Sequence, residues 1–219
     1  MQHPLDGPRL APSAGGAPRE LVVFLHGYGS DGNDLIALGQ EWARVLPHAA
    51  FMAPNAPEPC AGAPFGYQWF PLSVRDPAEF WRGAKAAAPV LDAFIDQILA
   101  ATDLPPSRLA LVGFSQGTML ALHVGLRRRK ALGAIVGYSG FLPGEEHLNR
   151  QAGSKPPVLL VHGARDEVIP VQALFLASQA LAGAEIPVEW HVSPGLGHGI
   201  DPEGLALGGA FLSRVLATD

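Results

Sequence analysis

Ser115 stands between Gly113 and Gly117 in the run Gly-Phe-Ser-Gln-Gly, directly after the apolar stretch Leu109 to Val112. A serine in a Gly-x-Ser-x-Gly turn, with a β-prone run before it and a helix-like run after it, is placed as a nucleophile toward a carbonyl carbon. The strand-to-helix reversal is so sharp that the positions two before and two after the serine must be nearly free of side chain. A serine hydroxyl is a weak nucleophile, so the chain must also supply a base and a group that orients the base. Pro157 to Val161 reads as a buried strand and leads into His162-Gly163-Ala164-Arg165-Asp166-Glu167. Val188 to Val192 reads as a further strand and leads into the glycine-rich Ser193-Pro194-Gly195-Leu196-Gly197-His198-Gly199. Asp166 as orienting carboxylate and His198 as base follow Ser115 in the chain order of an elbow-type hydrolytic site.

Other residues compete for these roles. His162 is the alternative base, but a histidine at the end of a buried strand is more commonly a hydrogen-bonded packing residue. Glu167 is the alternative to Asp166, with a longer side chain and the apolar Val168-Ile169 behind it. Asp92, Asp96 and Asp103 precede the serine and read as the solvated face and end of a helix.

A tetrahedral intermediate needs donors for its oxyanion. Glu20 to His26 reads as a strand, and Gly27-Tyr28-Gly29-Ser30-Asp31-Gly32 turns away from it with three glycines in six positions. The expected donors are the backbone N–H groups of Tyr28 and of Gln116, the residue after the serine, at a helix N-terminus. A phosphate-cradling loop is the competing reading. The segment lacks the glycine spacing of either phosphate-binding pattern.

The elements that must position these groups alternate. Strands are expected near 21–25, 49–53, 108–113, 133–138, 157–162 and 186–192. Helices are expected near 35–46, 84–100, 116–129, 171–182 and 202–216, with Pro89 kinking or restarting the second. This is an α/β pattern: a mostly parallel central sheet with helices on both faces and no large cap domain. The stretch 54–77 breaks the alternation with a Pro- and Gly-rich, lid-like loop. Its aromatics, Phe65, Tyr67, Trp69 and Phe70, are the candidate substrate-binding residues, and Phe80 and Trp81 follow them.

At 219 residues, 48% hydrophobic and 16% charged, the chain can bury one sizeable core. It is read as a single domain over 19–219, preceded by a flexible segment or short edge strand at 1–18. Those first eighteen residues hold four prolines and three glycines and resemble neither a signal peptide nor a membrane anchor. A net charge of -5 argues against nucleic acid or an anionic membrane as main partner, and nothing suggests integral membrane association. The basic run Arg127-Arg128-Arg129-Lys130 is read as closing a helix, where it complements the dipole. One cysteine, Cys60, excludes an internal disulfide framework and fits a reducing, cytoplasmic compartment. No metal-spaced His/Cys cluster appears, so no metal site is expected.

Six motifs in order carry a resemblance to a known family. They are Leu25-His26-Gly27-Tyr28-Gly29 with Asp31 and Asp34; Ala53-Pro54-Asn55-Ala56-Pro57; Gln68-Trp69-Phe70; Gly113 to Gly117; His162-Gly163 with Asp166 to Pro170; and Gly197-His198. From about residue 19 to its end the chain resembles the phospholipase/carboxylesterase family, the α/β-hydrolase group that includes the acyl-protein thioesterases. The resemblance implies a serine esterase with Ser115, Asp166 and His198 as triad, backbone donors at Tyr28 and Gln116, and no cofactor. Tyr28 and Thr118 stand where that family often has smaller residues. The expected activity is hydrolysis of short- to medium-chain acyl esters, with a small-molecule ester as partner and a second copy of the chain left open. An acyl-protein thioesterase or lysophospholipase is the alternative within enzymes, and an inactive hydrolase-fold binding protein the alternative outside them.

Overall fold

Every side chain of Leu21-Val22-Val23-Phe24-Leu25 is fully buried, which requires cover on both faces of the sheet to which this strand belongs. The computed structural model describes residues 5–60, 65–72 and 78–216. The expected loop at 54–77 therefore lies outside the described residues at 61–64 and 73–77. In chain order the elements are β1 (Arg9–Leu10), β2 (Glu20–Leu25), α1 (Gly32–Trp42), β3 (Ala49–Met52), β4 (Glu58–Pro59) and β5 (Tyr67–Gln68). They continue as α2 (Ala78–Thr102), β6 (Leu109–Phe114), α3 (Gln116–Gly125), β7 (Ala134–Tyr138), α4 (Leu148–Gln151), β8 (Val158–Gly163), α5 (Gln172–Gly183), β9 (Val188–Ser193) and α6 (Pro202–Leu216).

Among the described residues, seven strands form one sheet in the order β1-β3-β2-β6-β7-β8-β9, and β4 with β5 forms a separate hairpin. Of the described strands in the seven-stranded sheet, only β1 runs antiparallel, against β3, as a two-residue edge strand. Strand periodicity sorts the core into two layers. Leu21, Val23, Leu25, Leu109, Leu111, Ile135 and Leu160 face α2, α3 and α5. Val22, Phe24, Phe51, Val112, Val136 and Val161 face α1 and α6. Strand order reverses between β2 and β6, the crevice where open parallel sheets gather functional loops. Here the Gly27–Gly32 loop and Ser115 emerge side by side.

Helices α1, α2 and α3 depart from the periodicity, and α1 runs Gly32–Trp42 rather than near 35–46. Helix α2 starts six residues before Ala84 and runs on through Pro89 instead of restarting there. Proline lacks the N–H that would bond the Lys85 carbonyl, but buried Leu91, Phe94, Ile95 and Ile98 beyond it keep the helix against the sheet. Helix α3 stops at Gly125, before the basic run. Arg128 instead reaches back to Asp92 (2.5 Å) and Asp96 on α2, and Arg127 lies 4.8 Å over the Trp81 ring. The run clamps two helices together.

His123 of α3 is 3% exposed, with its ring 4.9 Å from that of Trp81 and, among the described residues, no hydrogen-bond partner at Nδ1. Burial, aided by Arg127 and Lys85, pushes its pKa from 6.5 down to about 3. The unfolded chain takes up this proton below about pH 6.5 and the folded chain does not, so His123 contributes full stability above that pH and loses it progressively toward pH 3. At about 1.4 kcal/mol per pH unit, wild type should lose roughly 2–3 kcal/mol more than His123→Phe between pH 7.5 and 4.5. Urea unfolding at the two pH values measures this. Equal acid-side losses would show that His123 is not the titrating group.

Candidate functional site

Ser115 adopts φ 54° and ψ −115°, a backbone conformation that costs a non-glycine residue about 1–3 kcal/mol and persists only where neighbours enforce it. The neighbours are identifiable. The Ser115 N–H donates to the Tyr138 carbonyl at 2.9 Å, pinning the turn to β7. A Cβ on Gly113 would meet Thr118 N at 2.3 Å, and one on Gly117 would meet the Leu25 carbonyl oxygen at 1.8 Å. The elbow thus presses α3 onto the ends of β2 and β6 with no space for side chains. Thr118 fits because Gly137 and Gly140 leave room around it, and its hydroxyl bonds the carbonyls of Gly113 (2.8 Å) and Tyr138 (2.9 Å).

Asp166 and His198 come from adjacent loops. The His198 Nδ1–H donates to Asp166 Oδ2 at 2.8 Å, which leaves Nε2 as the basic nitrogen. Asp166 Oδ1 accepts from the N–H groups of Val168 (2.9 Å) and Ile169 (2.8 Å). His162 Nε2 donates to the Ile169 carbonyl at 2.8 Å and lies 3.2 Å from Asp166 Oδ2, so it buttresses the carboxylate from below. Burial alone would raise the Asp166 pKa. The donors from Ile169, His198 and Val168 outweigh it and hold the carboxyl below its ordinary value. Glu167, the competing carboxylate, is exposed.

Both loops are strapped to the sheet. Ala164 N–H bonds the Ser193 carbonyl (3.0 Å), Arg165 N–H the Leu196 carbonyl (2.8 Å), and Ser139 Oγ the Gly199 carbonyl (3.0 Å). On the other side, Gly29 N–H donates to Tyr67 O (2.9 Å) and Tyr67 N–H to Ser30 O (2.8 Å), tying the Tyr28 loop to β5. The Gln116 amide, 1% exposed, accepts from Trp69 N–H (2.9 Å) and donates to the Phe70 carbonyl (2.8 Å). The Trp69 indole N–H donates to the His26 carbonyl at 2.9 Å. His26 Nε2 accepts from Ala56 N–H at 3.0 Å, which puts its hydrogen on Nδ1 toward the Gly27 carbonyl (2.8 Å), and burial lowers its pKa.

Ser115, His198, Tyr28 and Gln116 all line one cleft of about 530 Å³. One side is polar, with Ser30 donating to Asp34 at 2.8 Å; the other is apolar, from Leu72, Phe80, Met119, Phe141, Ile169 and Ala173. The expectation that Phe65, Tyr67, Trp69 and Phe70 line this cleft is corrected. Trp69 and Phe70, each 2% exposed, are packed into the core and border a separate cavity on the far side, also about 530 Å³. Tyr67 is half-buried in the hairpin, and Phe65 is 87% exposed. Two of the most apolar rings were buried because their backbone and indole polar groups find partners inside. Of the cleft residues that sequence reasoning missed, Leu72, Met119, Phe141, Ile169 and Ala173 follow the ends of β5, β6, β7 and β8, and their only sequence signal is that position.

Among the described residues, no group of three or more His, Cys, Asp or Glu could hold a metal ion, and no helix is long and apolar enough to cross a membrane. The sequence pattern described as Phospholipase/Carboxylesterase matches residues 11–216. The chain is 28% identical to acyl-protein thioesterase 1 of Gibberella zeae, over 89% of this chain and 90% of the relative. It is 33% identical to a probable carboxylesterase of Oryza sativa subsp. japonica, over 89% of this chain and 78% of the relative. The crystal structure of esterase PE8 superposes with a TM-score of 0.94 at 48% identity, covering 98% of this chain and all of that one. Arabidopsis thaliana SOBER1 superposes with a TM-score of 0.76 at 26% identity, over 90% and 99% of the two chains.

Trp69→Ala removes a buried ring and leaves the His26 carbonyl without its donor, so it should lower unfolding stability by about 3–5 kcal/mol. Trp69→Phe, which keeps a ring, should cost about 1–3 kcal/mol. Denaturant unfolding checks both. A Trp69→Ala protein of wild-type stability with altered substrate preference would return the ring to the binding cleft.

Proposed function

Because the chain belongs to the phospholipase/carboxylesterase family, whose members hydrolyse esters, we propose that it is a serine carboxylesterase acting on short- to medium-chain acyl esters through an acyl-enzyme. The observation that carries this reading is the 2.8 Å hydrogen bond to Asp166 from His198, which lines the same cleft as Ser115.

Ser115 Oγ attacks the ester carbonyl carbon while His198 Nε2 takes its proton. Asp166, ionised and fully hydrogen-bonded, holds the imidazole tautomer and stabilises the imidazolium. The carbonyl oxygen becomes an oxyanion, which the backbone N–H groups of Tyr28 and Gln116 receive. As the carbon–oxygen bond to the alcohol breaks, His198 returns the proton to the leaving oxygen. Water then repeats the sequence on the acyl-serine, releasing the acid and restoring Ser115. Each proton has a protein group to carry it, so the reaction as written needs no cofactor. The apolar side of the cleft suits the acyl chain, with up to about 0.8 kcal/mol for each methylene buried. The buried, unpaired Cys60 supports a reducing, cytoplasmic setting.

Thioester hydrolysis is the second reading, favoured by the relatives named acyl-protein thioesterase. It breaks a carbon–sulfur bond by the same steps and asks for no additional residue. Matched acyl esters and thioesters separate the two by their kcat/KM ratio.

Ser115→Ala should lower turnover of an activated ester by roughly 10⁴- to 10⁶-fold with the fold intact. A fluorophosphonate should label wild type at Ser115 alone. A wild-type protein that resists the probe and hydrolyses no activated ester would be a binding protein instead. His198→Ala should abolish turnover. His162→Ala, which leaves the Ile169 carbonyl unpartnered, should chiefly cost about 1–3 kcal/mol of stability. A folded His162→Ala protein as inactive as the His198 variant would transfer the base to His162.

A further inference from the structure

Phe141 follows the Ser139-Gly140 turn at the end of β7, and it has open space on two sides. On one side is the cleft of Ser115; on the other is a second cavity of about 360 Å³. Phe141 and Ala173 line both, so they form the wall between them. The Phe141 ring is only half-buried and meets Phe80 edge-on, with centroids 5.0 Å apart. A ring packed on all sides cannot turn without displacing neighbours; one bounded by two voids can.

The rest of the second cavity is held firmly. Its floor is Trp81, whose ring is packed against His123 (4.9 Å), His147 (4.7 Å) and the Arg127 guanidinium (4.8 Å). Gly144, at φ 68°, lays its backbone on that indole so closely that a Cβ would sit 2.4 Å from Trp81 Cε3. Buried Leu142 and the side chain of Leu176, 52% exposed, supply apolar walls. Glu145 and Glu146 stand exposed at its rim, which disfavours an anionic occupant.

We propose that Phe141 is a swinging partition and that the cavity behind it is the distal half of the acyl site. A short acyl chain ends against the Phe141 ring in the catalytic cleft. An unbranched medium-length chain turns the ring aside and lays its outer methylenes over Trp81, between Leu142 and Leu176. The inference rests on the serine-esterase reading, and it names a specificity-determining residue for that reaction.

The test is kcat/KM for p-nitrophenyl butanoate, octanoate and dodecanoate, kept below micelle formation, with thermal unfolding as the fold check. Leu176→Trp places an indole in the second cavity, and Leu176 does not line the catalytic cleft. At about fourfold per buried methylene, filling the cavity should lower the octanoate-to-butanoate ratio by tenfold or more. Phe141→Ala opens the partition and should raise the dodecanoate-to-butanoate ratio; Phe141→Leu gives the same direction should the alanine variant fail to fold. Butanoate turnover with ratios within twofold of wild type in folded Leu176→Trp overturns the partition alone. No turnover of any ester by wild type overturns the esterase reading and the partition with it.

Discussion

The approach of α3 to the end of β2 is the constraint on which the rest of the site depends. With 1.8 Å between a hypothetical Gly117 Cβ and the Leu25 carbonyl oxygen, any side chain there would lever the helix off the sheet. That contact holds Ser115 in its strained backbone conformation and aims the first turn of α3 at the crevice between β2 and β6. It also carries the Gln116 side chain to the wall formed by Trp69 and Phe70. One close contact therefore sets the candidate nucleophile and one candidate oxyanion donor together.

Asp166 plays the corresponding part across the cleft. Its carboxylate takes hydrogen bonds from Val168, Ile169 and His198, with His162 beside it. These donors come from two loops, and β9, which carries the second, lies at the sheet edge with Glu189 and Trp190 exposed. Edge position gives little burial to hold a loop in place. Strapping to β8 and the Ser139 hydroxyl supply the rigidity instead, and a fully ligated carboxylate has little freedom to reorient the imidazole.

The rings of Trp69 and Phe70 line one cavity of about 530 Å³, and the candidate oxyanion donors line another of the same size. Trp69 holds the end of β2 through the His26 carbonyl, and Tyr67 holds the Tyr28 loop through Gly29 and Ser30. Tyr67 and Trp69 therefore fix the segments that carry the candidate backbone donors. The walls of the cleft fall to residues such as Phe80 and Phe141, contributed by α2 and by the turn after β7.

Local chemistry made much of this protein legible from its residues in order. Gly113 and Gly117 around a serine and continuous apolar strands are short-range patterns, and the order of Ser115, Asp166 and His198 is read directly along the chain. Hydrophobic periodicity placed the six main strands and five main helices within a few residues, because burial on two faces of a sheet imposes it directly. Where α3 ends relative to Arg127 and Arg128 depended on contacts to Trp81, Asp92 and Asp96 of α2, more than thirty residues earlier in the chain. The fate of the loop aromatics was likewise a tertiary decision. An apolar ring satisfies a core and a binding cleft equally well, and only the partners available to the Trp69 indole N–H and to the backbone of Phe70 drew them inward. The cleft lining was also decided in three dimensions, since it is assembled from separate segments that meet only when the sheet forms.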